Sequence, residues 1–433
     1  MRPALLIVLT WALMATSATL AQEAGTGVSD AVARLAAAQR AAIAQAPALR
    51  ALVAGFETDA ADHRREAASG SPYVEWQSEG LGGSGRQPNG ADYLRVGTPF
   101  NLPGQIGRAR ALVRSADAWQ DDAVTAAGLA TAAETARRWI AVAAALESEA
   151  LQRARLERLD EALNLQEARY QLGEIAGSEV RQLDLEHVGQ SSRLALVRAE
   201  RTAAEAALAE LCGDACGEVR VGDLGTLAAA SRTPGVGTID DERLADGPFL
   251  RRARSDTELA QAAADLVRAT AWGRGEIEAE WERVPALEGM PSFDAWGFRV
   301  AVPLPIGVAG HREREAARAR ADRASAELEA ARRQARRTVA ETLAIAEGAA
   351  ARLRALEPAV EELPFTDRSL AEQFRLGAIS YLAYIDGLNR FDSIVGETID
   401  ARAALLRARL ELALTLGDTS VFPLPATAVH EED

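Results

Sequence analysis

The chain has 433 residues and a formal net charge of −15, with 63 acidic against 48 basic side chains. This acidic balance argues against nucleic acid as a partner, because nucleic-acid binding requires a basic face. Ala, Arg, Glu and Leu dominate and aromatic residues make up only 5%, a composition typical of long helices or coiled coils and not of several globular domains.

Residues 1–21 have the pattern of a secretory signal peptide. Arg2 precedes an apolar run from Ala4 to Ala15, and small residues follow up to Ala21. The run is too short to span a bilayer as a helix, and no apolar stretch of about 18 residues comes later. We therefore expect an exported protein without a transmembrane helix.

Residues 22–215 are predicted to form a first structural unit. Its predicted elements, in chain order, are a helix over 28–69 with a kink at Pro47, strands over 73–79 and 92–100, a long helix over 104–171 and a returning helix over 178–211. The strands alternate apolar and polar residues and form a hairpin, whereas the helices repeat apolar residues every three or four positions. The long helix is expected to extend for about 100 Å at 1.5 Å per residue.

A second unit, over residues 239–418, repeats the first at an offset of 204 positions. Its predicted elements are a helix over 240–271, strands over 276–282 and 295–303, a long helix over 309–374 bent near Pro358 and Pro364, and a helix over 380–416. The matching residues are Arg95 with Arg299, Pro99 with Pro303, Leu172-Gly173 with Leu376-Gly377, and Gly213-Asp214 with Gly417-Asp418. One offset without a gap predicts a tandem duplication.

Residues 216–238 are Gly-rich and predicted to be an irregular segment between the units, and residues 419–433 a C-terminal tail. Cys212 and Cys216 are the only cysteines of the chain. In an oxidising compartment they could form a disulfide, or remain two thiols beside a turn. A metal site is disfavoured because no histidine lies near them in the sequence.

The strands favour a membrane β-barrel. Ile277, Ala279 and Trp281 alternate with glutamates, and such a strand has an apolar face for lipid and a charged face for water. The candidate lumen residues are Arg95, Glu276, Glu278, Glu280, Glu282 and Arg299. Four strands cannot close a barrel with room for water, but three chains would supply twelve. The alternative is that these are edge hairpins of an ordinary soluble sheet.

Arginines follow each predicted strand–helix corner. Those of the first corner are Arg108, Arg110 and Arg114, and those of the second are Arg312, Arg314 and Arg318. In a membrane barrel they would form a charged collar just beyond the bilayer.

The motif from Phe374 to Ser380, followed by Tyr384-Ile385-Asp386 and a helix that ends at Gly417, resembles the signature of the TolC-like outer-membrane efflux family. The resemblance covers essentially the whole mature length, and residues 377–389 are similar to the heavy-metal efflux branch. It implies a mostly α fold with a small membrane β part. Three chains would build a 12-stranded β-barrel in the outer membrane of a Gram-negative-type bacterium, continued by a long α-helical barrel in the periplasm.

The resemblance also implies partners and functional positions. The partners would be a periplasmic adaptor (membrane fusion) protein and an inner-membrane pump of the resistance-nodulation-division type. The residues of the hairpin tips that would contact the adaptor are Leu172, Gly173, Glu174, Leu376, Gly377 and Ala378. Asp386 matches a carboxylate of the family's pore-entrance constriction, although Ala383 and Ile379 replace other gate residues. The alternative for Asp386 is a solvated helix position.

No enzyme, metal or cofactor is predicted. The four histidines are scattered, Ser residues lack a nucleophile-elbow context, and no phosphate-loop pattern occurs. The leading interpretation is a passive exit duct for small molecules or ions expelled by a pump. The alternative is a periplasmic coiled-coil adaptor. A metal-exporting subtype is a third possibility, but Met290 is the only methionine of the mature chain and no Met or His ladder is present.

Overall fold

The computed structural model describes residues 30–67, 71–78, 92–235, 239–271, 273–284, 291–303 and 310–425. The predicted signal peptide and most of the C-terminal tail lie outside these residues. The described chain is mostly helical with one small antiparallel sheet. None of its helices is both long enough and apolar enough to cross a bilayer.

Two very long helices dominate the chain. They are α3 (Pro103–Gln171) with 69 residues and α8 (His311–Arg375) with 65, and each is followed by a helix of 36 residues. The remaining helices are α1 (residues 30–45), α2 (Pro47–Ala67), α4 (Gly177–Cys212), α5 (Asp223–Ala230), α6 (Asp241–Ala245), α7 (Pro248–Thr270) and α9 (Tyr381–Leu416). Both prolines of α8, Pro358 and Pro364, lie inside a continuous helix.

Two predicted helices are each interrupted. The helix expected over 28–69 breaks at Ala46, and the one expected over 240–271 breaks at Asp246-Gly247. In both cases a proline, Pro47 or Pro248, occupies the first position of the following helix, where its missing N–H is tolerated. Between α6 and α7, position 247 also requires glycine, because a Cβ there would lie 2.2 Å from the carbonyl oxygen of Thr415.

The segment expected to be irregular, 216–238, contains the eight-residue helix α5. It begins after Gly222, whose φ of 95° suits a residue without a side chain. Arg409 of α9 donates to the carbonyls of Ala228 and Ser231 at its end. Because these bonds come from a distant part of the chain, local pattern alone did not predict the helix.

The sheet has four strands in the order β1 (Tyr73–Ser78), β2 (Asp92–Phe100), β3 (Gly275–Val284) and β4 (Phe293–Ala301), and all neighbours are antiparallel. β3 is longer than the 276–282 predicted, and β4 begins and ends two residues before the predicted 295–303. β2 also pairs with β3 over nine residue pairs, so the two predicted hairpins form one sheet.

The described chain divides into two compact units. The described residues of the first fall within 1–49, 125–248 and 334–433, and those of the second within 50–124 and 249–333 with all four strands. In the first unit, Trp139, Ile140, Leu406, Leu410 and Phe422 are fully buried. In the second, Ala109 and Leu112 of α3 pack against Leu266 of α7.

Candidate functional site

One face of the sheet is charged. Side chains alternate along a strand, so every second residue of β3 from Glu276 to Glu282 lies on one face. The register places Arg95 opposite Glu280, and Glu278 opposite Arg299. All six candidate lumen residues therefore lie on this face.

Ion pairs connect all four strands across this face. Arg95 has its Nε 3.4 Å from Glu278 Oε1 and its Nη2 3.4 Å from Glu280 Oε1, and its Nη1 is 3.9 Å from Glu75 Oε2. Arg299 Nη1 lies 3.3 Å from Glu278 Oε2, which links β4 as well. The face nevertheless remains acidic, because it carries five carboxylates and two guanidinium groups.

The opposite face of the sheet is apolar and exposed. One row across the four strands consists of Trp76, Leu94, Trp281 and Trp296, and the next consists of Val74, Val96, Ala279 and Phe298. Trp76 is 74% exposed and Phe298 81%. A contiguous exposed apolar surface of this kind requires lipid or a protein partner to cover it.

The apolar face ends sharply on the side away from the helices. The row that follows the tryptophans consists of Ser78, Asp92, Arg283 and Asp294. Tryptophan beside charged residues is typical of the boundary between lipid and water.

Both long helices end in the same backbone turn. Gly173 N–H donates to Tyr170 O at 2.9 Å and Glu174 N–H to Arg169 O at 3.0 Å. In the second turn, Gly377 N–H donates to Phe374 O at 3.1 Å and Ala378 N–H to Gln373 O at 2.9 Å. Each is a Schellman turn closed by a glycine with positive φ, 77° at Gly173 and 71° at Gly377.

All six candidate tip residues are exposed at these two turns. Leu172 is 74% exposed and Leu376 67%. Their exposed apolar side chains are available to a partner, but no described contact engages them.

A hydrophobic cluster lies behind the turns. Its buried members are Leu159, Ala162, Leu183, Phe374, Tyr381, Tyr384, Ile385 and Leu388. The rings of Phe374 and Tyr384 stack with centroids 4.4 Å apart. Burial, together with the carboxylate of Asp367, raises the pKa of Tyr384 to about 12, so its hydroxyl stays protonated at neutral pH.

Arg169 connects the two turns, a role that the sequence analysis did not identify. Its Nη2 donates to the carbonyl of Arg375 at 2.8 Å and to that of Phe374 at 3.2 Å. These are among the last carbonyls of α8, which have no partner inside their own helix. The guanidinium also lies 5.8 Å from the centroid of the Phe374 ring.

A buried ion pair lies on the face of α9 that carries the hydrophobic cluster, one turn beyond Leu388. Arg155 of α3 is 3% exposed, pairs with Asp392 and donates to Asn389 Oδ1 at 2.8 Å. Burial raises the pKa of the Asp392 carboxyl, against the opposing effect of Arg155. No local pattern marks this pair, because its members are 237 positions apart.

Asp386, the candidate for the pore entrance, is exposed on α9. Its Oδ2 lies 2.8 Å from Nη2 of Arg390, one turn further along the same helix. This arrangement fits a solvated helix position within one chain, and the carboxylate remains accessible to solvent or to another copy.

Cys212 and Cys216 form a disulfide at the end of α4. Both are buried, and the bond closes the short 3₁₀ turn Gly213–Cys216. Of the two possibilities left open by the sequence, the structure has the disulfide. Within the described residues no group of three or more His, Cys, Asp or Glu is arranged to hold a metal ion.

No protein-family model matches the sequence, and neither does any curated protein sequence. Solved structures do match. CusC, which forms a transmembrane channel, superimposes with a TM-score of 0.69 at 15% identity over 88% of this chain and 92% of its own. The CmeC outer membrane channel of Campylobacter jejuni has a TM-score of 0.69 at 12% identity, over 91% of this chain and 87% of its own.

The outer membrane protein VceC of Vibrio cholerae has a TM-score of 0.66 at 17% identity, over 89% of this chain and 96% of its own. These likenesses cover nearly the full length of each protein. The resemblance recognised in the sequence motifs is thereby confirmed at the level of the fold: this chain has the fold of outer-membrane channel proteins.

Proposed function

We propose that the chain is the outer-membrane exit duct of a tripartite efflux system, extending into the periplasm and passively conducting small molecules or ions expelled by an inner-membrane pump. The observation that carries this proposal is the sheet. It has one exposed apolar face bordered by tryptophans and one acidic face, in a chain with the fold of outer-membrane channels.

The strand count supports a homotrimer. β1 and β4 are the outer strands of the described sheet, and the backbone of an edge strand can pair with a strand of another chain. Three copies would join their sheets edge to edge into twelve strands, with the apolar face toward lipid and the acidic face toward a water-filled lumen. The tandem duplication would then make each chain contribute two similar hairpin units.

The hairpin turns are the proposed contact with a periplasmic adaptor, and the pump of such a system would be of the resistance-nodulation-division type. Leu172 and Leu376 offer exposed apolar side chains on turns closed by backbone hydrogen bonds, and a partner could bury them. The cargo is not specified by any described residue.

The test is membrane insertion. The mature protein is expected to require detergent for extraction, to run as a heat-sensitive trimer on gels and to produce discrete conductance steps in planar bilayers. A soluble, monomeric periplasmic protein without conductance would instead favour the alternative, a coiled-coil adaptor, and would end the exit-duct proposal.

Asp386 provides a test of the entrance. If three copies of this carboxylate surround the pore, Asp386→Asn lowers the preference of the reconstituted channel for cations, because fixed negative charge concentrates them. The matched control is Asp184→Asn, an exposed carboxylate on α4. Reversal potentials in a salt gradient measure the effect, and unchanged selectivity would return Asp386 to a solvated helix position.

A further inference from the structure

The start of α3 is basic, although the chain as a whole is acidic. Arg108, Arg110 and Arg114 are all exposed, and no acidic residue occurs from position 103 to 116. Within the described part of the chain, no carboxylate forms an ion pair with any of the three. Three arginines within two helical turns that no described carboxylate pairs with, in a chain of net charge −15, form a positive patch to which an external anion is attracted.

Two of these arginines border an apolar groove. The described residues that line it are Asn101, Ile106, Ala109, Arg110, Val113 and Arg114, and its volume is about 380 Å³. Ile106 is 41% exposed. Arg110 and Arg114 are one turn apart on the helix, so their guanidinium groups can approach one phosphate together.

The groove directly follows the sheet and is held at a fixed place. Asn101 comes immediately after the last residue of β2, and α3 begins two residues later. Gln105 is 3% exposed, and its Nε2 donates to the carbonyl of Ala269 in the last turn of α7 and to that of Gly273, two residues before β3. These hydrogen bonds hold the start of α3 against the segment that leads into β3. The groove is therefore kept next to the sheet.

We propose that this groove binds the headgroup region of an anionic phospholipid, with the phosphate between Arg110 and Arg114 and the first carbons of the lipid on Ile106 and Val113. Arg108 adds to the positive potential. This inference rests on the proposed function, because it requires the neighbouring apolar face of the sheet to lie in a bilayer. An apolar floor offers nothing to inorganic phosphate, which is why the occupant is a lipid.

The test uses the full-length mature protein in detergent and a short-chain phosphatidylglycerol, with phosphatidylcholine of the same chain length as reference. Each arginine near a membrane surface contributes roughly a fivefold increase in affinity for anionic lipid, so the pair contributes about thirtyfold. We expect phosphatidylglycerol to bind more tightly than phosphatidylcholine, and Arg110→Gln with Arg114→Gln to remove that preference. Replacing both by lysine should retain part of it.

The matched control is Arg333→Gln with Arg337→Gln. These two arginines are also exposed and one turn apart, but they lie more than 20 residues into α8. Their removal should leave the preference unchanged. Equal affinity for both lipids, or equal loss in the control, overturns the proposal.

Two further measurements separate the outcomes. Inorganic phosphate at millimolar concentration should not displace the lipid; displacement would show a simple phosphate site and overturn the lipid assignment. Conductance in planar bilayers is measured on the same samples. A conducting channel without lipid preference refutes only this inference, whereas a protein that neither inserts nor conducts refutes the proposed function itself.

Discussion

The turns at the ends of α3 and α8, at Gly173 and Gly377, have the same backbone conformation but differ in their surroundings. Both are closed by a Schellman turn with equivalent hydrogen bonds. Tyr170, just before the first glycine, is 53% exposed, whereas its counterpart Phe374 is 3% exposed and stacks on Tyr384. Arg169 extends from the first turn to the second, but among the described residues the side chain of its counterpart Gln373 bonds only to Ser369 on its own helix.

This difference shows that the conformation of the turn and the burial of its neighbouring side chains have separate causes. The Leu-Gly pair determines the turn in both hairpins, because a residue without a side chain is favoured at positive φ. The role of each neighbouring side chain depends instead on what the rest of the unit places beside it. The first turn presents its aromatic residue outward, and the second uses it as core.

The largest effect should distinguish the two aromatic residues. Phe374→Ala removes a buried ring from the cluster and should lower the free energy of unfolding by about 3–5 kcal/mol. Tyr170→Ala removes an exposed ring and should change it by less than about 0.5 kcal/mol. Denaturation followed by circular dichroism measures both. Equal losses would show that the first turn is also core, and the comparison would fail.

A slightly smaller effect is expected for the ion pairs of α9. Arg155→Met leaves Asp392 without its counter-charge and should cost about 3 kcal/mol, at the low end for a buried pair because the Asp392 side chain is 13% exposed. Arg390→Met, whose partner Asp386 is exposed, should cost less than about 0.5 kcal/mol.

The same variant has a pH signature. Burial raises the pKa of Asp392, and Arg155 opposes that rise, so without Arg155 the carboxyl protonates more readily in the folded chain. A carboxyl group whose pKa is raised by folding lowers the free energy of unfolding as the pH increases through that pKa, because the folded chain must then hold the charged form. The loss in free energy of unfolding caused by Arg155→Met should therefore be largest at neutral pH and become smaller toward about pH 4. A deficit that grows in acid would contradict the buried ion pair.

The glycines should respond alike, because the backbone is the shared feature. Gly173→Ala and Gly377→Ala each place a side chain at positive φ and should each cost about 1–2 kcal/mol. Gly189→Ala, in the open middle of α4, is the control and should be neutral or stabilising. A cost at only one turn would mean that surroundings, and not backbone, determine the turn.

The smallest effect concerns the link between the turns. Arg169→Gln removes two charge-assisted hydrogen bonds to partly exposed carbonyls and should cost about 1 kcal/mol. Gln373→Ala, its counterpart, should cost less than about 0.5 kcal/mol. Hydrogen exchange of the amides in the second turn offers a direct readout, since loss of Arg169 should accelerate it. Unchanged exchange would show that Arg169 does not hold the second turn.

Much of the fold could be predicted because it depends on local periodicity. The alternation of Ile277, Ala279 and Trp281 with glutamates indicated β3 and its two faces, and Gly173 and Gly377 marked both turns. The extent of α3 followed from the absence of proline between Pro103 and Pro234, whereas α8 continues through Pro358 and Pro364. These features require only neighbours in the sequence.

What could not be predicted depends on distant contacts. The position of Gly247 has no room for a side chain because α9 approaches it, and α5 is capped by Arg409 from α9. The bond between Arg169 and the end of α8 joins residues 206 positions apart. A polar residue on a helix has the same local pattern whether it meets water or a carbonyl, so only the assembled unit shows its role.

The row of Trp76, Trp281 and Trp296 has a consequence for observing the protein at work. Three indole rings lie at one level of the sheet, two of them strongly exposed, while Trp139 is fully buried. If lipid covers this face, quenchers attached at known depths along acyl chains should reduce the fluorescence of these three tryptophans and leave that of Trp139 unchanged. The intrinsic fluorescence of these tryptophans can therefore be used to measure the depth of the sheet in a bilayer without any added label.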